Sequence, residues 1–163
     1  MSGRMGGLAG VVTGATKGLG RETALLLAEE GASIVGVGRN SGDGRRLEED
    51  SRELAGDIAF VSGDVREEDT SGRAIEVCME RFGRLDIMVA NAGILGPETP
   101  LHETDTGDFD EVFDVNVRGL FYDCRAAVRA MLEGNGGSIV TVGSILSVAA
   151  DPMLTSYTAT KAA

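Results

Sequence analysis

The sequence predicts one α/β domain: a parallel sheet, doubly wound, with helices on both faces. Short apolar runs alternate with helically patterned segments along its 163 residues, and the first apolar run ends in a glycine-rich turn that opens a helix. No internal repeat or low-complexity linker interrupts the alternation. That length is enough for one hydrophobic core, and residues 1–163 are read as one domain.

Leu8 to Thr13 is the first run, and the following Gly18 to Gly31 carries Leu19, Leu26 and Leu27 at helical spacing, predicting strand, turn, helix. Ser33 to Val37 reads as a buried parallel strand, and Asp43 to Leu54 as a charged, solvent-facing helix. Ile58 to Val61, Glu67 to Phe82 and Leu85 to Ala90 give strand, helix and strand again. Gly93 to Thr106 contains Pro97 and Pro100 and is a loop. Asp105 or Thr106 can cap a long helix from Asp108 to about Glu133, with Phe109, Val112, Phe113, Leu120 and Val128 as its packing stripe. The glycines at 134, 136 and 137 end it; Ser138 to Val142 is the fifth strand, and Thr155 to Ala163 begins a last helix. The arrangement is of the Rossmann type.

Composition narrows the function classes. A 42% apolar fraction is that of a globular chain, and a formal charge of −11 argues against nucleic acid or anionic membrane as a partner. The N-terminal MSGRMGGLAGVV lacks a signal-peptide pattern, and no run is long and apolar enough to span a membrane, so a soluble cytoplasmic protein is expected. Cys78 and Cys124 have neither zinc-ligand nor redox-pair spacing and read as ordinary thiols in a reducing compartment; no metal site is expected. His102, the single histidine, lies in the proline loop without a catalytic or metal partner in view.

The chemistry concentrates in two places. In the turn Thr13-Gly14-Ala15-Thr16-Lys17-Gly18-Leu19-Gly20, glycines let backbone approach a pyrophosphate at a helix N-terminus. Near the other end, Ser144 precedes Tyr157 by thirteen positions and Tyr157 precedes Lys161 by four. The last two share a helical face, so an ammonium can stand beside the phenol and favour its ionised form, while the serine hydrogen-bonds the oxygen on which charge changes. Each feature alone is also compatible with ordinary turn or helix structure.

Taken together in chain order, TGATKGLG, Asn91-Ala92-Gly93 after the fourth strand, Asn116, Ser144, and Tyr157 to Lys161 resemble the short-chain dehydrogenase/reductase family over nearly the whole chain. The resemblance implies a hydride-transfer oxidoreductase acting on a small alcohol or ketone. It implies Tyr157 as general acid/base, Lys161 as the group that lowers the Tyr157 pKa and binds the nicotinamide ribose, and Ser144 as the partner orienting the substrate oxygen. Asn116 is implied to hold a relay water behind the lysine; a buried amide satisfying backbone groups at a helix irregularity is the structural alternative. The cofactor contacts implied are Gly14, Thr16, Lys17, Gly18, Leu19, Gly20, Asp64, Val65, Asn91, Ala92, Gly93, Tyr157 and Lys161, with Asn91 bracing the sheet against Thr13. Asp64 with Val65 would touch the adenine, though Asp64 also reads as an ordinary loop aspartate. Leu95, Leu146 and the loop around Pro97 can line a substrate pocket.

The second strand runs out as Val37-Gly38-Arg39-Asn40, with no acid before Asp43 to hold ribose hydroxyls. Arg39 can grip a 2′-phosphate, with Lys17 as the weaker second charge, so NADP(H) is favoured over NAD(H). Ala90 stands where the family often has an asparagine, which is expected to matter little. Members of the family run longer, with two further strands and a substrate loop, so the fold is expected to be truncated after strand five and the sequence to be part of a longer polypeptide. Within these bounds the last helix would be short, with a carboxylate near Lys161, and strand five would be an uncovered edge. A homodimer or homotetramer is implied for the full-length protein. The alternative function is an NADP(H)-binding fragment or scaffold without catalysis.

Overall fold

The computed structural model describes residues 3–163; Met1 and Ser2, at the head of the stretch read above for a signal peptide, lie outside it. The elements are β1 (Ala9–Thr13), α1 (Gly18–Glu29), β2 (Ser33–Gly38), α2 (Ser41–Asp50), β3 (Asp57–Ser62), α3 (Glu68–Phe82), β4 (Ile87–Ala90), α4 (Thr106–Phe113), a π-helical segment (Asp114–Gly119), α5 (Leu120–Glu133), β5 (Ser138–Thr141) and α6 (Thr155–Ala162). All strand pairs are parallel, in the order β3-β2-β1-β4-β5. The order reverses between β1 and β4, which opens a crevice beyond their carboxyl ends.

The central strands are continuously apolar because both faces are covered. On one face Val11, Val35, Met88, Ala74, Cys78, Ala127 and Met131 form a cluster under α3 and α5; on the other, Val12, Ile34, Ile58, Ala24, Ala28 and Leu47 form one under α1 and α2. β5 is an edge, and its Val140 is half exposed.

Two expectations are corrected. α1 does not pack through Leu19 and Leu26, which are exposed; it packs through Gly20, Ala24 and Ala28, whose small side chains let the helix lie close to the sheet. Leu27 does pack against that core. The long helix is not continuous: it widens into π geometry over Asp114–Gly119, and its buried apolar side chains are Val112, Val115, Ala127 and Met131, with Leu120 packed against the core and Phe109 and Val128 exposed. A π-segment shifts the phase of the following turns, so a stripe drawn through a regular helix misplaces them. Asp105 is the cap, its carboxylate accepting from Gly107 N. The proline loop holds a short 3₁₀ turn, Leu101–Glu103, and Thr99 bridges to Leu154, which ties the loop to the start of α6.

Candidate active site

A cleft of about 500 Å³ lies at the switch point. Its walls are the turn after β1, the ends of β2 and β3, the segment after β4, Val115 of the π-segment, Val142 and Gly143 after β5, and Tyr157 and Lys161 of α6.

The glycine turn is shaped by close approach. Gly14 has φ +66°, and a Cβ at Gly20 would collide with Gly14 O and Asn91 Nδ2. α1 therefore meets the turn backbone to backbone, and its N-terminus faces the cleft, where its dipole and unpaired N–H groups favour an anion. Thr16, Lys17 and Leu19 line the cleft with Gly14 and Gly20; Gly18, at φ +56°, makes the bend that starts the helix.

Thr13 is the hub beneath this turn. Its Oγ1 accepts from Asn91 N and Ala92 N, both at 3.2 Å, while Asn91 Nδ2 donates to Thr13 O at 2.9 Å. The same hydroxyl donates to Asp123 Oδ2 at 2.9 Å. Asn91 thus braces the turn after β1 against the segment after β4, and Asn91, Ala92 and Gly93 line the cleft.

At the end of β2, Arg39 and Lys17 are exposed and have no ion-pair partner among the described residues. They line a side recess with Thr16, Asn40, Ser41, Gly42 and Asp43, at the N-terminus of α2. Asn40 caps that helix by accepting from Gly42 N and Asp43 N, and the Asp43 carboxylate pairs with Arg46 at 3.6 Å. Asp64 and Val65 line the cleft beyond β3. The Asp64 carboxylate is occupied: Arg66 holds it through Nη2 at 2.7 Å, Nε at 3.1 Å and its own N–H at 3.0 Å, which keeps the Asp64 pKa below its usual range.

Tyr157 and Lys161 share one face of α6, Nζ lying 5.7 Å from the phenol ring centre. The adjoining face buries Ser156 and Thr160. Lys161 Nζ donates to Val142 O at 2.8 Å, and burial lowers the lysine pKa. Asn116 lies just behind. Its Oδ1 accepts from Ile94 N at 2.8 Å, and its Nδ2 donates to Ile94 O at 2.9 Å and Thr160 Oγ1 at 3.0 Å. Thr160 in turn donates to Tyr157 O. The buried amide of Asn116 therefore stitches the π-segment to the loop after β4 and to the helix carrying Tyr157. A Cβ at Gly93 would lie 3.3 Å from Asn116 Oδ1 and 3.8 Å from Lys161 Nζ, so the three positions adjoin.

Ser144, like Asn116, lies outside the cleft wall that Tyr157 and Lys161 line. It caps a 3₁₀ turn, Ile145–Ser147, its Oγ accepting from Leu146 N at 3.2 Å, and it stands beside the cleft-lining Gly143 rather than in the wall itself. Leu95 lines the cleft, whereas Leu146 and Pro97 do not. His102 is exposed, and Cys78 and Cys124 are free, burial pushing the Cys78 thiol up to about 12. No group of metal-ligating side chains occurs among the described residues, and no helix there is long and apolar enough to cross a membrane.

Sequence reasoning missed Thr160, Ile94 and Asp123. Thr160 and Ile94 act through a side-chain hydroxyl and backbone groups that carry no motif, and Asp123 reads in sequence as one more charge on a helix.

A glycine turn, a basic recess and a Tyr-Lys pair around one cleft at the strand switch point mark a Rossmann-type domain. The comparisons agree: the family model for short chain dehydrogenase matches residues 9–163, and the chain belongs to that family. It is 36% identical over 93% of its length to the 3beta-hydroxysteroid dehydrogenase of Mediterraneibacter gnavus, and 40% identical over 88% to (+)-borneol dehydrogenase 2 of Salvia officinalis, covering 54% and 51% of those proteins. An NAD+-bound xylitol dehydrogenase superposes with a TM-score of 0.93 at 31% identity, and levodione reductase with 0.93 at 30%. Each alignment covers 98% of this chain, and 61% and 62% of the respective partner. The chain spans about half the length of these two curated relatives.

Proposed function

We propose that the protein is an oxidoreductase moving a hydride between NADP(H) and an alcohol or carbonyl substrate, with Tyr157 as general acid/base. The observation that carries this reading is the single cleft that joins Gly14, Gly20 and Arg39 at one end to Tyr157 and Lys161 at the other. The residues fit a dinucleotide, because the close approach at Gly20 leaves backbone rather than side chain facing a pyrophosphate. A bound nicotinamide supplies or accepts the hydride.

The chain's own residues supply the rest. Tyr157 gives its phenolic proton to the substrate oxygen during reduction and takes it back during oxidation. Lys161, with one donor spent on Val142 O, keeps two for the phenol oxygen and the nicotinamide ribose, and its charge favours the phenolate. Ser144 Oγ accepts from Leu146 N and keeps its own proton to donate to the substrate oxygen. Asn116 holds the Lys161 helix in register through Thr160, and a relay water behind the lysine completes the proton path. Asp64 and Val65 flank the adenine, with the Asp64 carboxylate fixed by Arg66.

The exposed charges of Arg39 and Lys17, the N-terminus of α2, and an Asp43 drawn toward Arg46 favour a 2′-phosphate in the side recess, hence NADP(H) before NAD(H). A xylitol dehydrogenase of the same fold is NAD+-bound, so the test compares both cofactors. Fluorescence titration of the intact protein is expected to give tighter binding of NADPH than NADH, and turnover on a panel of ketones and secondary alcohols. Binding without turnover on any of them would instead identify a dinucleotide-holding scaffold. Assembly as a homodimer or homotetramer in the cytoplasm belongs to the same proposal.

A further inference from the structure

Asp123 is the most deeply buried carboxylate of the described residues, 1% exposed in the first turn of α5. Its two oxygens have separate partners: Thr13 Oγ1 donates to Oδ2 at 2.9 Å, and Ser71 Oγ of α3 donates to Oδ1 at 2.7 Å. No cation pairs with it among the described residues, and burial pushes its pKa up to about 6. Burying an unpaired charge is costly, so its place calls for a reason beyond packing.

The Thr13 hydroxyl supplies one. A hydroxyl has one proton and two lone pairs, and here both N–H donors, Asn91 and Ala92, come from the segment after β4. The proton must then point elsewhere, and an acceptor-only carboxylate beneath it admits a single rotor. We propose that Asp123 is a positioning residue: by taking the Thr13 proton it turns the lone pairs of Thr13 toward Asn91 and Ala92, and so locks the cofactor-facing segment to the end of β1. The inference rests on the dinucleotide reading of the cleft.

Two variants separate positioning from packing. Asp123→Leu removes the acceptor and keeps the same branched heavy-atom skeleton, with bulkier methyl groups in place of the oxygens. Asp123→Asn keeps it, since the amide oxygen can accept from Thr13 while the amide nitrogen donates to Ser71, whose hydroxyl has no other partner in the network. The readouts are the ¹H–¹⁵N amide resonances of Asn91 and Ala92 in the ligand-free intact protein, and the NADPH affinity. Asp123→Leu is expected to move both resonances and weaken NADPH binding about ten-fold, the loss of roughly one charge-assisted hydrogen bond. Asp123→Asn is expected to leave both readouts close to wild type. A folded Asp123→Leu protein with unmoved amides and wild-type affinity overturns the inference, as does equal damage by the two variants.

If Asp123→Leu does not fold, Asp123→Ala, which also removes the acceptor, decides between pH 7.5 and 5: its Asn91 and Ala92 amides should differ from wild type across that range, and amides at their wild-type positions overturn the inference. The side chains hydrogen-bonded to Asp123 are hydroxyls, Thr13 from β1 and Ser71 from α3. The ionisable groups nearby are thiols: Cys124 on its own helix, raised by burial and then by Asp123, and Cys78 on the buried face of α3, raised by burial. Neither titrates in that window. Wild type that binds neither NADPH nor NADH, with amides still responding to Asp123→Leu, would overturn the cofactor reading and leave the positioning role standing.

Discussion

Thr13→Val removes one oxygen and keeps the shape, so its effect comes from hydrogen bonds rather than from a cavity. In the folded chain that oxygen serves three partners: Asn91 N and Ala92 N, half-buried, and the fully buried Asp123. Each backbone bond is worth about 1 kcal/mol, and a bond to an ionised carboxylate about 1.5–3 kcal/mol. The total is about 4 kcal/mol, and for a domain of this size each kcal/mol lowers Tm by about 2–4 °C. Circular dichroism melts at pH 7.5 should therefore place Thr13→Val at least about 8 °C below wild type, with Thr13→Ser, which restores the hydroxyl, within about 3 °C of it. A Thr13→Val protein that melts with wild type, or a Thr13→Ser protein as unstable as the valine variant, would refute the hub described above.

The remaining predictions concern charge and close approach. The Asp123 pKa is raised in the fold, so the native state holds its proton more tightly than the unfolded chain; its contribution to stability is fully present below about pH 4 and is lost as pH rises through about 6. In urea unfolding, the stability of wild type relative to Asp123→Asn should fall by roughly 2 kcal/mol between pH 4 and pH 7, and a pH-independent difference would contradict the burial argument. Arg39→Gln should weaken NADPH by about ten-fold or more and leave NADH nearly unchanged, as two titrations would show; equal loss for both cofactors would remove Arg39 from the 2′-phosphate. Gly20→Ala must push α1 away from Gly14 O, at a cost of about 1–3 kcal/mol in thermal unfolding together with loss of dinucleotide affinity.

The sheet was legible because parallel strands buried on both faces are short apolar runs, and Val11, Val35 and Met88 sit in such runs. The cleft-lining side chains Tyr157 and Lys161 were legible because a spacing of four places them on one helical face, as the structure has them. The family resemblance ties Asn91 to Thr13, and the bonds are there. What escaped depends on tertiary approach. Leu19 and Leu26 look like a packing face in sequence, yet α1 lies so near the sheet that glycine and alanine fill that role. The apolar pattern of Asp114–Gly119 carries no mark of the π-segment, although the reading of Asn116 as a buried amide at a helix irregularity fits it; of the expected stripe Val112 is buried and Leu120 packs on the core, whereas Phe109 and Val128 are exposed. Asp123 has the composition of a surface residue, and two hydroxyls distant in sequence make it a core one.

The central claim is that Tyr157 exchanges a proton with substrate in a cleft that independently holds NADP(H). Tyr157→Phe tests it directly, because the phenol oxygen is removed while the ring and its contact with Lys161 remain. On a substrate turned over by wild type, kcat should fall by about two to four orders of magnitude, the range for loss of a general acid/base. The NADPH dissociation constant should change by less than about three-fold, under 1 kcal/mol. Full turnover by Tyr157→Phe would contradict the account.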